Sequence, residues 1–199
     1  IVAGEASGDA HAARLVRALR EARPDAEFEF FGSAGHAMRE AGVEPIVPAD
    51  DLAVIGIPEI ARAIGRFIGA FRKLKSAAAL RRPDVAVLVD FPDFNLKLAR
   101  SLKRSGIRIV YYISPQLWAW RSYRRRTIRD HVDLLLAVLP FEKQWYARHG
   151  IGNVEYVGNP LAREVRPTMP RDEFRQRNAI AEGRPLIALL PGSRHKELS

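Results

Sequence analysis

VAVLVDFPDFN, residues 85–95, is the stretch on which the fold turns. Val85 to Val89 is apolar with no polar alternation, which suits a strand buried on both faces in a helix-covered parallel sheet. The run ends at Asp90 and passes through Pro92 into a helical pattern. In such sheets ligands bind beyond the carboxyl ends of the strands, so chemistry is sought at Asp90 and at the equivalent residues after other strands.

Outward from this stretch the same rhythm repeats. Ile1 to Ala3, Phe28 to Phe31, Ile107 to Ile113, Leu134 to Val138, Val154 to Val157 and Leu186 to Leu190 read as further short strands. Helical patterns fall between them near 10–22, 35–41, 58–81, 94–104, 121–130 and 140–149. Strands alternating with helices predict an α/β fold with a doubly wound, Rossmann-like parallel sheet. Three prolines between Pro160 and Pro170, with no apolar periodicity, mark a connection between domains.

The chain has 199 residues, enough for a substantial core. It begins inside a strand pattern, and only nine residues follow the strand pattern Leu186 to Leu190 that opens a new unit, so it reads as a segment of a longer protein. With no cysteine there is no disulfide, thiolate metal site or thiol nucleophile. No apolar run approaches the roughly 20 residues that span a bilayer, and no signal peptide is visible. Lys and Arg outnumber Asp and Glu by 32 to 23, a net +9 that favours anionic partners: phosphates, nucleic acid or an acidic membrane face.

The strand ends hold the candidate residues. After the first strand comes Gly4-Glu5-Ala6-Ser7-Gly8-Asp9, a glycine turn whose free amides suit an anion or a sugar hydroxyl, or in which Ser7 or Asp9 caps the helix. It is not G-x-G-x-x-G, which argues against a dinucleotide site. Past Asp90, Asp93 reads as a helix cap, and the pair lacks the further ligands a metal would need. Ser114-Pro115-Gln116-Leu117-Trp118-Ala119-Trp120 offers stacking and hydrogen bonds to a sugar, or two core tryptophans. Arg121, Arg124, Arg125, Arg126 and Arg129 follow, interleaved with Tyr123, as a nucleic-acid patch or a solvated basic face.

In the 58–81 helix, Ile60, Ile64, Phe67, Ile68, Phe71 and Leu74 form one stripe opposite Arg62, Arg66 and Lys73, and Glu59 is the one acid. The stripe faces the core, or it is an apolar surface flanked by cations that suits acyl chains and anionic headgroups. Lastly, Pro191-Gly192-Ser193-Arg194 places an arginine in a turn after a strand, where it can pair with a phosphate or simply be exposed.

GEASGD, DFPDFN, YYISPQLWAW, LPFEK and LLPGSR, in this order and at these separations, closely resemble the lipid-A-disaccharide synthases of Gram-negative bacteria. The resemblance implies the N-terminal half of a metal-independent GT-B glycosyltransferase without cofactor. It divides the chain into an acceptor-side domain over 1–160, a connection over 161–183, and the start of a nucleotide-sugar domain over 184–199. The family transfers 2,3-diacylglucosamine from its UDP derivative to 2,3-diacylglucosamine 1-phosphate with inversion, at the cytoplasmic face of the inner membrane.

On that basis Asp90 is the expected base and Arg194 the arginine beside the nucleotide. Glu5, Ser7, Gly8, Asp9, Asp93, Asn95, Ser114, Gln116, Trp118, Gly192 and Ser193 are expected around the substrates, and Ile64, Phe67, Ile68 and Phe71 against acyl chains or membrane. A carboxylate of ordinary pKa, about 3.9, is too weak to deprotonate an alcohol in advance, so proton transfer must accompany departure of the leaving group. The rival readings are another GT-B enzyme acting on a UDP-sugar with a water-soluble acceptor, or an RNA-binding module using the Arg121 to Arg129 helix.

Overall fold

A computed structural model describes residues 1–49, 52, 60–164, 166–181 and 183–190. The described elements run β1 (Val2–Ala3), α1 (Ala6–Ala22), β2 (Phe31–Ala34), α2 (His36–Glu40), β3 (Glu44–Pro48), α3 (Ile60–Arg81), β4 (Val85–Val89), α4 (Pro92–Arg104), β5 (Arg108–Tyr112), α5 (Arg125–His131), β6 (Leu134–Ala137), α6 (Glu142–Arg148), β7 (Val154–Tyr156), α7 (Leu161–Glu164) and α8 (Arg171–Arg177). The strands form one sheet in the order β3-β2-β1-β4-β5-β6-β7, and every pair is parallel. The chain therefore winds outward one way from β1, then crosses back to β4 and winds the other way. That reversal opens a crevice beyond the carboxyl ends of β1 and β4.

Alternation along the strands feeds two cores. Val2, Leu88 and Tyr111 pack with Ala70 and Leu74 of α3 and Leu98 and Leu102 of α4. Ala3 and Val89 pack on the other face with Ala12, Ala13 and Val16 of α1 and Met38 of α2. An apolar run without polar alternation is what a sheet covered on both faces requires.

The boundaries differ from expectation in instructive ways. The second strand is Phe31–Ala34 rather than Phe28 to Phe31, because Val2 pairs with Ser33. Phe28 and Phe30 instead stack on each other with ring centres 5.5 Å apart. Sequence reading missed β3 because Pro45 and Pro48 disguise it; it lies at the sheet edge, where a missing N–H is tolerated. The 121–130 helix divides into a 3-10 turn over Ser122–Arg124 and α5. Residues 58–59 of the 58–81 helix lie outside the described residues, as do the side chains of Ile60 and Arg62.

The chain divides into two compact units, Ile1–Ala162 and Arg163–Ser199. In the second, α8 is tied to the following turn by Arg175, which donates to the carbonyls of Ala181 and Arg184 at 2.7 and 2.8 Å. Leu186 to Leu190 does not form the expected strand, and Leu186, Ile187, Leu189 and Leu190 are exposed. An extended run becomes a strand only where a neighbour completes its ladder, and none of the described strands does so here. No described helix is long and apolar enough to cross a membrane.

Asp133, just before β6, joins three elements: it accepts from the Ile109 amide of β5 at 2.7 Å and pairs with Lys103 of α4. Burial works against its ionisation, but the Lys103 bond and the Ile109 N–H outweigh it, so the carboxyl sits below its ordinary 3.8. A lowered folded pKa stabilises the protein above the ordinary value, and that contribution is lost as pH falls through the lowered one. Asp133→Asn should therefore cost stability at pH 7, by less than about 1 kcal/mol because the pair is more than a third exposed. Urea titrations across pH should show the gap closing below pH 3.8.

Candidate active site

The crevice is built from the turns that follow β1 and β4, and they touch. Gly4 has no room for a side chain: a Cβ there would lie 2.3 Å from the Phe91 ring. Phe91 is clamped from its other sides by Phe67 of α3 and Phe94 of α4, each with its ring centre 5.8 Å away. Asp90 and Phe91 are both left-handed, with φ of 47° and 51°. Outside glycine this conformation costs about 1–3 kcal/mol per residue and persists only where the surroundings enforce it.

The surroundings do so through the Asp90 backbone. Its N–H donates to the Tyr112 carbonyl at 2.9 Å. Its carbonyl accepts from the Tyr111 hydroxyl at 2.6 Å and from the Asn95 amide at 2.8 Å. Burial, and then the Asp90 charge, push the Tyr111 hydroxyl far above the ordinary phenol range, so it keeps the proton it donates. The half-buried Asp90 side chain is thus aimed by a main chain fixed at both ends. A third non-glycine left-handed residue, Ile113 with φ 66°, follows β5 on the same edge.

The remaining expected residues separate into two groups. Glu5 and Gln116, on the loops after β1 and β5, and Ser7, in the first turn of α1, are exposed. Gly8 is buried and seats α1 against Ala3. Asp9 caps neither its own helix nor the crevice: its carboxylate accepts from the amides of Gly35 and Ala37 at 2.7 and 2.9 Å, fixing the start of α2. Asn95 is fully buried and holds the end of β4. Ser114 is buried as well.

Asp93 is not a cap either. The residue preceding α4 is Phe91, Pro92 opens the helix, and the Asp93 carboxylate is held by Arg121 and Arg124. Gly192, Ser193 and Arg194 lie outside the described residues. The apolar set on α3 divides too. Phe67 and Phe71 pack into the core, with Phe71 edge-on to Phe94, whereas Ile64 and Ile68 are 55% and 46% exposed.

Trp118 combines both earlier readings. Its indole N–H donates to Glu142 at 3.3 Å, and its ring is 39% exposed against Phe141. Glu142, fully buried, also accepts from the Leu139 amide at 3.1 Å, in the manner of a capping box. Tyr146 completes the brace by donating to the Pro115 carbonyl at 2.8 Å. Sequence reading gave no role to Glu142 or Tyr111, although the quoted LPFEK and YYISPQLWAW contain them. The acid three residues after Leu139 at a helix start was the available signal for the first, and nothing local distinguishes the second. A cavity of about 490 Å³ lined by Ile1, Phe31, Arg81 and Val85 lies at the amino edge of the sheet, away from these groups.

A family model described as lipid-A-disaccharide synthetase matches residues 1–199. Curated relatives named lipid-A-disaccharide synthase include one from Geobacter sulfurreducens, 48% identical over 199 residues, and one from Myxococcus xanthus, 47% identical over 198. In both the match takes in 100% of this chain and 51% of the relative. A third, from Solibacter usitatus, is 46% identical over 197 residues, covering 99% of this chain and 51% of its own. The chain thus spans about half the length of the curated relatives it matches.

The contact between the two turns is open to direct measurement. Gly4→Ala should lower stability by about 1–3 kcal/mol, because a Cβ there would meet the Phe91 ring at 2.3 Å while Phe67 and Phe94 stack against that ring. In a Phe91→Leu background the same change should cost less, and the difference in denaturation midpoints gives the coupling.

Proposed function

The chain belongs to the lipid-A-disaccharide synthetase family, and from that premise we propose that it supplies the acceptor half of the enzyme's cleft, with Asp90 as the base. The parent enzyme then transfers 2,3-diacylglucosamine from UDP-2,3-diacylglucosamine to the 6-hydroxyl of 2,3-diacylglucosamine 1-phosphate. The observation that carries this reading is the strained, doubly clamped Asp90 at the point where the sheet order reverses.

The chemistry follows from that placement. The 6-hydroxyl oxygen attacks the anomeric carbon opposite the diphosphate, the bond from that carbon to the UDP oxygen breaks with its electron pair, and the configuration inverts. The hydroxyl proton passes to Asp90 as the new bond forms, because an ordinary carboxylate cannot take it earlier. Residues 184–199 begin the nucleotide-sugar domain in this reading, with Gly192 and Ser193 at the donor phosphates. Arg194 there offsets the charge that builds on departing UDP. Glu5, Ser7, Gln116 and the exposed face of Trp118 are the groups best placed for sugar hydroxyls.

The parent sits on the cytoplasmic face of the inner membrane through α3. Ile64 and Ile68 are exposed beside exposed Arg66, Arg72 and Lys73, so apolar and cationic groups meet acyl chains and anionic headgroups together. Phe67 and Phe71 leave this set for the core. The RNA-binding reading loses ground because Arg121 and Arg124 are drawn to Asp93 and Arg129 pairs with Asp130.

In the full-length parent, Asp90→Asn should cut acceptor-dependent UDP release by about 100-fold or more with the fold intact. Release that survives the change removes Asp90 from the role. Ile64→Ser with Ile68→Ser should weaken cosedimentation with anionic phospholipid vesicles severalfold while leaving the melting curve unchanged. Undiminished vesicle binding excludes α3 as the contact.

A further inference from the structure

Arg121 and Arg124 converge on one carboxylate, that of Asp93. Arg121 Nη1 lies 2.8 and 3.1 Å from its two oxygens, and Arg124 Nη2 donates to the first of them. Two guanidiniums share one negative charge, so the cluster is left with net positive charge. Its geometry is already fixed. Arg121 is left-handed, with φ 52°, and its guanidinium lies 4.3 Å from the centre of the Trp120 ring. The Arg124 side chain is only 13% exposed, whereas that of Asp93 is 63% exposed, so the cluster opens outward at the carboxylate.

The position in the fold matters as much as the charge. Asp93 lies three residues beyond Asp90, in the first turn of α4, and the arginines arrive from the loop after β5 on the same carboxyl edge of the sheet. Each guanidinium has five fork-arranged donors, of which Asp93 occupies only part. A phosphate monoester brings a charge of about −1.5 to −2 and three acceptor oxygens, a better match for two arginines than one carboxylate. The acceptor of the proposed reaction carries such a group at C1, which only the ring oxygen separates from C5, the carbon that bears the CH2OH whose 6-hydroxyl must face Asp90.

We propose that Arg121 and Arg124, pre-set by Asp93 and Trp120, are the recognition site for the acceptor's phosphate monoester. This assignment rests on the reaction read above. The site orients the sugar: with the phosphate on the arginines, the 6-hydroxyl is turned toward Asp90. Asp93 keeps the empty site ordered and gives up part of its hold when phosphate arrives. The basic run after Trp120 thus serves a small anion rather than a polymer.

The test uses the full-length parent and two acceptors, 2,3-diacylglucosamine 1-phosphate and the same sugar without the phosphate, with product formation followed for both. Wild type should prefer the phosphorylated acceptor in kcat/KM. Arg121→Gln with Arg124→Gln should lower kcat/KM for it by about 100-fold, leave the unphosphorylated acceptor within about threefold, and leave the donor KM unchanged. Arg121→Lys with Arg124→Lys, which keeps charge but not the fork, should lose about tenfold on the phosphorylated acceptor alone. That pair decides the matter if the glutamine variant fails to fold.

A preference for phosphate that survives both variants overturns the assignment and leaves the reaction standing. Equal losses on both acceptors in the lysine variant, or a raised donor KM, overturn it in favour of a donor-diphosphate or structural role. Wild type that makes product from neither acceptor overturns the reaction and this site together.

Discussion

The placement of Asp90 depends on a hydrogen bond to a backbone carbonyl. The Tyr111 hydroxyl, buried and unable to lose its proton near neutral pH, donates to the Asp90 carbonyl at 2.6 Å. With Asn95 it holds two successive residues in a conformation that L-amino acids avoid. The cost of the strain is met by the aromatic packing of Phe67, Phe91 and Phe94 behind it.

The loops at the carboxyl edge also brace one another in sequence around the sheet. The turn after β1 makes room for the ring that follows β4 through the bare backbone of Gly4. The turn after β4 meets the loop after β5 through Asp93 and its two arginines. The loop after β5 meets the start of α6 through Trp118 and buried Glu142, and through Tyr146 and Pro115. Each link is polar or aromatic and at least partly shielded, so it has directional geometry that simple apolar packing lacks. A chain of this kind couples loops that lie far apart in sequence without needing a lid or hinge.

Helix α3 illustrates how one amphipathic pattern serves two ends. Leu74, Ala70 and Ala78 bury their side chains in the core, while Phe67 packs against Phe91 of the turn after β4 and Phe71 against Phe94 of α4. Ile64 and Ile68, on the neighbouring flank of the same apolar stripe, remain exposed among cations. Periodicity defines the stripe but not its width relative to the surface that covers it.

The sequence by itself determined the parallel α/β sheet, because strands buried on both faces must be apolar throughout, and it marked Asp90 as a carboxylate at the carboxyl end of such a strand. It also carried the family, through motifs spaced over the whole chain. It did not determine the partners of Asp9, Asp93 and Glu142, each of which reads locally as a helix-start acid. Two of them are spent on groups 26 and 28 residues away and the third, beyond its local capping bond, on an indole 24 residues away. Nor did it reveal β3, whose prolines fit a sheet edge that exists only once the strands are ordered. Those choices belong to the tertiary structure, because a side chain's hydrogen-bond partner is set by which strand ends the sheet order brings together, and local sequence carries no record of that order.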